Sequence, residues 1–362
     1  MTLLLLTLLL AEQNFPATTI FEPLASRHVA VADDGEIYML NMADANVLHH
    51  KKDGSTATFT RRGEGPGELN NPWSLVVEGD KVYVVDFLKG IQLFNRTGVF
   101  QKKIDLPQRF VQPVKVAGGW VYAKDPFDMQ EPSQLFWSDD EGSTEVTLAA
   151  YANGVRGVFM DVKEDKTVHL DFNPAIDRPY MLTNADRTRL YFYQPGSSKI
   201  TVFDMKTRSV TEELALNREP RAFNESWGQA KMEEMAKNVI LNGEKARTKM
   251  NPKFPEYFPV VADMFMGPKG NLWLETDESF FNKDAALLVL SQKGKPATTP
   301  YHKALSGRLV RVIGSDAYVL SYDRENEHAL VAKVALSELN AYVKKVPNTE
   351  DDEKQVGMNI NW

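Results

Sequence analysis

The sequence predicts an all-β fold, a six-bladed β-propeller with a helical insertion between blades four and five, and three observations support this reading. A tight turn followed by an apolar-aromatic-apolar triplet recurs six times along the 362 residues. Most of the intervals between triplets match a four-stranded blade. The triplets are continuous apolar runs, as expected of small sheets that bury both faces against neighbours.

The triplets are Ile37-Tyr38-Met39, Val82-Tyr83-Val84, Val121-Tyr122-Ala123, Leu190-Tyr191-Phe192, Leu272-Trp273-Leu274 and Ala317-Tyr318-Val319. The turns before them, Asp34-Gly35, Gly79-Asp80, Gly118-Gly119, Asp186-Arg187, Lys269-Gly270 and Gly314-Ser315, are mostly pairs that accept positive φ and so favour hairpins. Each triplet is therefore one half of a hairpin. A second apolar run follows it, from Val47-Leu48 in the first repeat to Leu330–Val334 in the last. The central aromatics are separated by 45, 39, 69, 82 and 45 residues. Three intervals equal one blade, and the other two equal a blade plus an insertion of roughly 25 to 40 residues. Six blades fit the length; a seventh remains open if 157–172, with Val158-Phe159-Met160 and Thr167–Leu170, forms an extra blade.

At the N-terminus, Leu3–Leu10 is apolar except for Thr7 and is followed by Ala11-Glu12, so 1–11 reads as a signal peptide, with a buried first strand or helix as the alternative. That run is too short to span a bilayer. The propeller occupies 15–345, and Ile20–Ala32 is expected to complete the last blade, because ring closure hides exposed edges. The insertion at 217–259 carries a helix: Trp227, Met232, Met235, Val239 and Ile240 follow helical spacing, Asn224 or Ser226 can cap it, and Gly243 can end it. Residues 346–362 form a C-terminal tail.

Composition excludes several function classes. With 42 Lys and Arg against 49 Asp and Glu the formal net charge is −7, which argues against a nucleic-acid partner. Cysteine is absent, so disulfide scaffolds, thiolate metal sites and cysteine nucleophiles are excluded. The six histidines show no metal-binding pair at strand or helix spacing, and no Gly-x-Ser-x-Gly motif occurs.

Blade two carries a more specific signal. Arg61-Arg62-Gly63-Glu64-Gly65-Pro66-Gly67-Glu68-Leu69, Asn71-Pro72, Val82-Tyr83-Val84-Val85-Asp86, Ile91-Gln92-Leu93-Phe94 and Thr97-Gly98 together resemble an NHL-type repeat. The likeness covers 61–104, whereas the other blades keep only the turn and triplet. The chain thus resembles exported bacterial six-bladed propellers related to NHL and TolB-like proteins, which implies a fold and a binding role and no single activity; with the apparent export signal, that role is expected in the periplasm or outside the cell.

Blade strands run A (inner) to D (outer), so A–B and C–D turns share one face, and B–C and D–A connections share the other. Here the A–B and C–D turns are short, while 63–71, 125–133, 151–178, 217–259 and 276–283 all fall on the opposite face. Long connections of this kind generally carry function. A ligand, read as a protein or peptide-like molecule, is therefore expected within reach of Arg61, Arg62, Asp125, Tyr193, Trp227, Phe280, Phe281, Asp323 and Arg324. Asp86 invites a catalytic reading, yet a carboxylate ending a B strand more often accepts backbone N–H bonds from the next loop. The Gly63–Gly67 loop lacks the Lys-Ser/Thr ending of a phosphate loop, and its glycines let the chain cross tightly between blades. Asp125, Asp128, Glu131, Asp277, Glu278 and Asp323 leave calcium as the one cofactor option, belonging to an alternative reading as a calcium-dependent propeller enzyme of the lactonase, lyase or hydrolase type.

Overall fold

The computed structural model describes residues 18–21, 28–106, 110–124, 132–151, 158–161, 166–169, 179–194, 196–236, 240–241, 244–245, 248–251, 256–277, 286–291, 296–302, 308–323, 328–339 and 359–360. Among the described residues the first strand is β1 (Thr18–Phe21). Blade one follows as β2 (His28–Val31), β3 (Ile37–Asn41), β4 (Asn46–His50) and β5 (Thr56–Phe59). Blade two is β6 (Pro72–Glu78), β7 (Lys81–Asp86), β8 (Gly90–Asn95) and β9 (Phe100–Ile104). Blade three is β10 (Phe110–Val116), β11 (Gly119–Lys124), β12 (Ser133–Asp139) and β13 (Glu145–Tyr151). The first insertion contributes β14 (Val158–Asp161) and β15 (Lys166–His169). Blade four is β16 (Tyr180–Thr183), β17 (Arg189–Tyr193), β18 (Lys199–Asp204) and β19 (Ser209–Ala215). The second insertion holds α1 (Glu225–Ala236), β20 (Ile240–Leu241), β21 (Glu244–Lys245) and β22 (Thr248–Asn251). Blade five is β23 (Val261–Met266), β24 (Leu272–Thr276), β25 (Ala286–Leu290) and β26 (Pro296–His302). Blade six is β27 (Arg308–Ile313), β28 (Asp316–Asp323) and β29 (His328–Ala335), and β30 (Asn359–Ile360) lies in the tail.

The sixth sheet is completed by β1, which pairs antiparallel with β29 from Thr18↔Ala332 to Phe21↔Ala329. The predicted closing segment thus divides: Thr18–Phe21 is the outer strand of blade six, and His28–Val31 is the inner strand of blade one. The 157–172 region is no seventh blade. Its hairpin β14–β15 takes β22 from the other insertion as a third strand, so the two insertions join in a sheet of their own. A second small sheet, β21-β20-β30, brings the tail to the same insertion.

The core lies between successive blades. Tyr38 and Leu40 pack against blade two, Tyr83 and Val85 against blade three, Tyr191 and Tyr193 against blade five, and Tyr318 and Leu320 against blade one. Each such buried side chain contributes about 2–3 kcal/mol of apolar transfer energy. Blade three departs from the pattern. Its turn closes one residue earlier than the Gly118-Gly119 pair suggests, with Val116 paired to Gly119. Strand side chains alternate, so this shift turns Trp120 and Tyr122 back toward blade two and sends Val121 and Ala123 toward blade four. Gly119 becomes a strand residue against its neighbour's backbone; a Cβ there would lie 2.0 Å from the Ser138 carbonyl oxygen.

Ion pairs tie blades together on the short-turn face. Arg96, in the C–D turn of blade two, bonds Asp34, Glu36 and the Tyr38 hydroxyl of blade one. His49, stacked on Tyr38 at 4.0 Å, reaches Glu36 at 2.8 Å. Arg311 of blade six holds Asp33 and the Val31 carbonyl, and Arg187 of blade four holds Glu78 of blade two.

Two outcomes follow from closure and from these pairs. A chain beginning at Thr18 is expected to melt cooperatively, while one beginning at residue 22 is expected to melt lower and to self-associate through the bared edge of β29, read by calorimetry and size-exclusion chromatography. The Arg96 hydrogen bond to Asp34 lowers that carboxyl from its ordinary 3.8 to about 2. A folded-state pKa below the unfolded one stabilises the fold fully above about pH 4, and this contribution is lost as the pH falls through 2. Asp34→Asn is therefore expected to melt below the wild type at pH 7, with the gap closing towards pH 2.

Candidate binding site on the long-loop face

On the long-loop face, Asp86 organises the corner of blade two. Its buried carboxylate ends β7 and accepts four backbone N–H bonds: from Asn70 at 2.6 Å and Asn71 at 3.0 Å through Oδ2, and from Leu88 at 3.0 Å and Lys89 at 3.1 Å through Oδ1. One side chain thus fixes both the B–C corner of its own blade and the connection arriving from blade one. Phe87 N–H donates to the Asn71 carbonyl at 2.9 Å, and Lys89 Nζ donates to the Gly63 and Glu68 carbonyls at 2.6 and 3.2 Å. The sequence expectation for Asp86 as an acceptor of loop amides is met.

The 61–71 connection is closed on itself. Leu69 is buried, its N–H donating to the Arg61 carbonyl at 2.9 Å while its own carbonyl accepts from Gly63 at 3.0 Å. Glu68 accepts Gly65 N–H at 2.8 Å and Arg61 Nε at 2.7 Å, and these bonds lower its pKa, the Gly65 amide most. Gly67 has φ 75° and sits on Phe100, where a Cβ would come within 2.7 Å of the ring-bearing carbon. Arg62 spans the junction, donating to the Asn70 carbonyl at 2.8 Å and to the Met42 and Ala43 carbonyls of blade one at 3.3 and 2.9 Å.

This frame presents three large apolar side chains to solvent: Trp73 is 47% exposed, Phe87 47% and Leu88 65%. The ladder explains Trp73. Pro72 pairs with Asp86 and Ser74 with Val85, so Trp73 is an extra residue in the inner strand, a β-bulge that re-aims its side chain. His28, opening the inner strand of blade one, lies 6.0 Å from the Trp73 ring, and Phe110, opening that of blade three, lies 6.5 Å from Phe87. Lys124 holds in blade three the position Asp86 holds in blade two; its Nζ bonds both Glu145 oxygens at 2.7 and 2.6 Å and sits 4.2 Å from the Phe136 ring centroid.

The sequence-predicted residues are placed as follows. Arg61 and Arg62 lie on this face, Arg61 exposed and paired with Glu68, Arg62 bound to three carbonyls. Tyr193 is buried between blades four and five, and its hydroxyl accepts Val260 N–H at 3.0 Å. Trp227 packs at 5.2 Å on Phe258 and 6.0 Å from Phe223. Those two rings belong to the stem of the insertion, where Phe223 N–H donates to the Glu256 carbonyl and Phe258 N–H to the Arg221 carbonyl, both at 2.9 Å. Asn224 caps α1, its Oδ1 accepting Trp227 N–H at 2.9 Å. The helix ends at Ala236, shorter than expected: Val239 and Gly243 lie outside the described residues, and Ile240 belongs to β20. Asp125, Phe280, Phe281 and Arg324 also lie outside them, as does the side chain of Asp323 at the end of β28. Asp277, one of the carboxylates considered for calcium, is buried and paired with Arg221 at 3.1 Å and Arg218 at 3.7 Å.

Trp73, Phe87 and Leu88 escaped sequence reading because Trp73 follows the strand-opening Pro72 and looks like core. The signal available was Phe87-Leu88 immediately after the strand-ending Asp86, where turn chemistry calls for polar residues.

No protein-family model and no curated protein matches this chain. Among solved structures it is similar to a DUF4221 family member from Bacteroides vulgatus, at 8% identity and TM-score 0.48, covering 88% of this chain and 97% of that one. A Bacteroides fragilis protein described as exported is similar at 10% identity and TM-score 0.48, covering 89% and 97%. Virginiamycin B lyase from Staphylococcus aureus is similar at 10% identity and TM-score 0.41, covering 88% and 99%. At these levels no activity is transferred, and the six-bladed ring is read from this chain's own sheets.

Replacing Asp86 with Asn leaves part of the four-amide set without an acceptor, and is expected to destabilise the fold by about 2–4 kcal/mol. Denaturant unfolding measures the loss. Amide exchange should localise it, with Asn70, Asn71, Leu88 and Lys89 losing protection before the blade strands do.

Proposed function

We propose that this protein is a binding or scaffold propeller that engages a protein or peptide-like ligand on its long-loop face, acting in the periplasm or outside the cell. The observation that carries this reading is the Trp73, Phe87 and Leu88 cluster, exposed on a corner that Asp86 clamps rigid. Exposed apolar clusters on a stiff frame mark interaction sites, and Trp is among the residues enriched as interface anchors. Support for the location comes from the leucine run ahead of Ala11-Glu12. Among the described residues no helix is long and apolar enough to cross a membrane. The NHL-type likeness of 61–104 falls on the same corner that bears the cluster.

Two measurements test the reading. Cross-linking and pull-down from an envelope extract are expected to recover a protein partner with the wild type and to lose it with a Trp73→Ala, Phe87→Ala double variant. Recovery that is identical with both proteins counts against this face. Thermal unfolding in calcium and in EDTA is expected to give the same midpoint; a rise of several degrees with calcium, together with turnover on an ester or lactone panel, moves the assignment to the enzyme class.

A further inference from the structure

The polar groups around the apolar cluster are already committed, and that selects the chemistry of what can bind there. Asp86 spends its carboxylate on four amides, and Arg62 its guanidinium on three carbonyls. Lys89 is held by the Gly63 and Glu68 carbonyls, and Asn70 Nδ2 donates to Glu64 at 2.6 Å. The charges in the 61–71 connection, Arg61, Arg62, Glu64 and Glu68, cancel. The exposed Arg61 and Glu64 carry opposite charges, so what the corner offers outward is ring and aliphatic surface beside a frame with no net charge. A ligand rich in phosphates would find no net positive charge there, whereas an apolar side chain loses nothing on docking.

Among the described residues, the large exposed apolar side chains on this face are those three and Tyr257, which belongs to the stem of the second insertion. A membrane-resting surface sets cations beside its apolar side chains, whereas the 61–71 connection carries as many carboxylates as cations, which suits a segment of polypeptide better. Strands β6 and β7 are antiparallel, so Trp73, one residue into β6 from Pro72, and Phe87, one residue beyond Asp86, are diagonal neighbours roughly 7–8 Å apart, close to the spacing of alternate residues in an extended chain. That separation suits two side chains on the same side of an extended chain.

Resting on the binding role proposed above, we propose that the Trp73, Phe87 and Leu88 corner anchors an uncharged, extended peptide segment through two apolar side chains, one on the Trp73 ring and one against Phe87 and Leu88. The test uses the full chain and a displayed library of random twelve-residue peptides, with affinities of the enriched peptides then measured by fluorescence anisotropy. Enriched peptides are expected to share two closely spaced apolar residues and to bind with less than about twofold change between 0.05 and 0.5 M salt, since no charge pair steers them. Trp73→Ala and Phe87→Ala are each expected to weaken binding about tenfold or more. Val99→Ala, an exposed apolar change beside a C–D turn, is expected to leave it unchanged, and circular dichroism confirms that all three variants are folded. Peptides that bind Trp73→Ala as tightly as wild type but lose affinity with Tyr257→Ala overturn this placement while leaving a long-loop-face binder standing. Enrichment of charged peptides with steep salt dependence overturns the ligand class, as does Trp73-dependent binding to phosphatidylcholine–phosphatidylglycerol vesicles without any peptide. A library that enriches nothing overturns the binding role itself.

Discussion

Ring closure is the constraint on which the rest of this structure depends. Each four-stranded sheet is too small to stand alone, and its central strand is apolar on both faces, so every blade needs a neighbour on each side. The circle is completed when β1 joins β29, a pairing between residues more than 300 positions apart. With that pair in place no interface lacks its partner: Tyr318 and Leu320 of the last blade meet Val31, Ile37 and Met39 of the first in one cluster. The insertions follow the same rule. Strands β14, β15 and β22 leave the ring after blades three and four and satisfy one another in a separate sheet.

The two faces of the ring use different chemistry. On the short-turn side, hairpins closed by positive-φ residues bring charged groups close, and pairs such as Arg96 with Asp34 and Arg311 with Asp33 link consecutive blades. On the long-loop side of blade two the polar groups are turned inward to build the connection itself. Asp86 and Arg62 saturate backbone amides and carbonyls in complementary fashion, one collecting N–H groups and the other C=O groups. Rigidity obtained in this way allows rings to stand in solvent without collapsing onto the core. A bulge at Trp73 adds the final adjustment, since a regular ladder would have turned that side chain elsewhere.

In blades one to three the residue that ends the B strand differs together with the B–C corner that follows it. In blade one Asn41 accepts the Ala43 and Asp44 amides at 3.1 and 3.3 Å, a shorter version of what Asp86 does in blade two. Blade three places Lys124 there, which cannot accept an amide and turns instead to Glu145 and the Phe136 ring. Its corner leads into the long 125–131 segment, while the corners of blades one and two are short turns. In these three blades the amide-accepting residues precede short corners, and the lysine precedes the longer connection.

Much of this architecture was legible in the residues. Six turn-and-triplet units, the short-turn face, the amide-binding role of Asp86 and the tight glycine crossing at Gly67 are local properties, because burial and turn geometry leave their mark on a few consecutive side chains. What the tertiary structure decided is pairing and register between distant segments. Thr18–Phe21 and His28–Val31 look alike as short apolar strands, yet one belongs to the last blade and the other to the first. The one-residue shift that turns Tyr122 toward blade two, and the bulge that lifts Trp73 into solvent, leave composition and periodicity almost unchanged. Both depend on which partner residue stands across the ladder, and a strand's own sequence does not contain its partner.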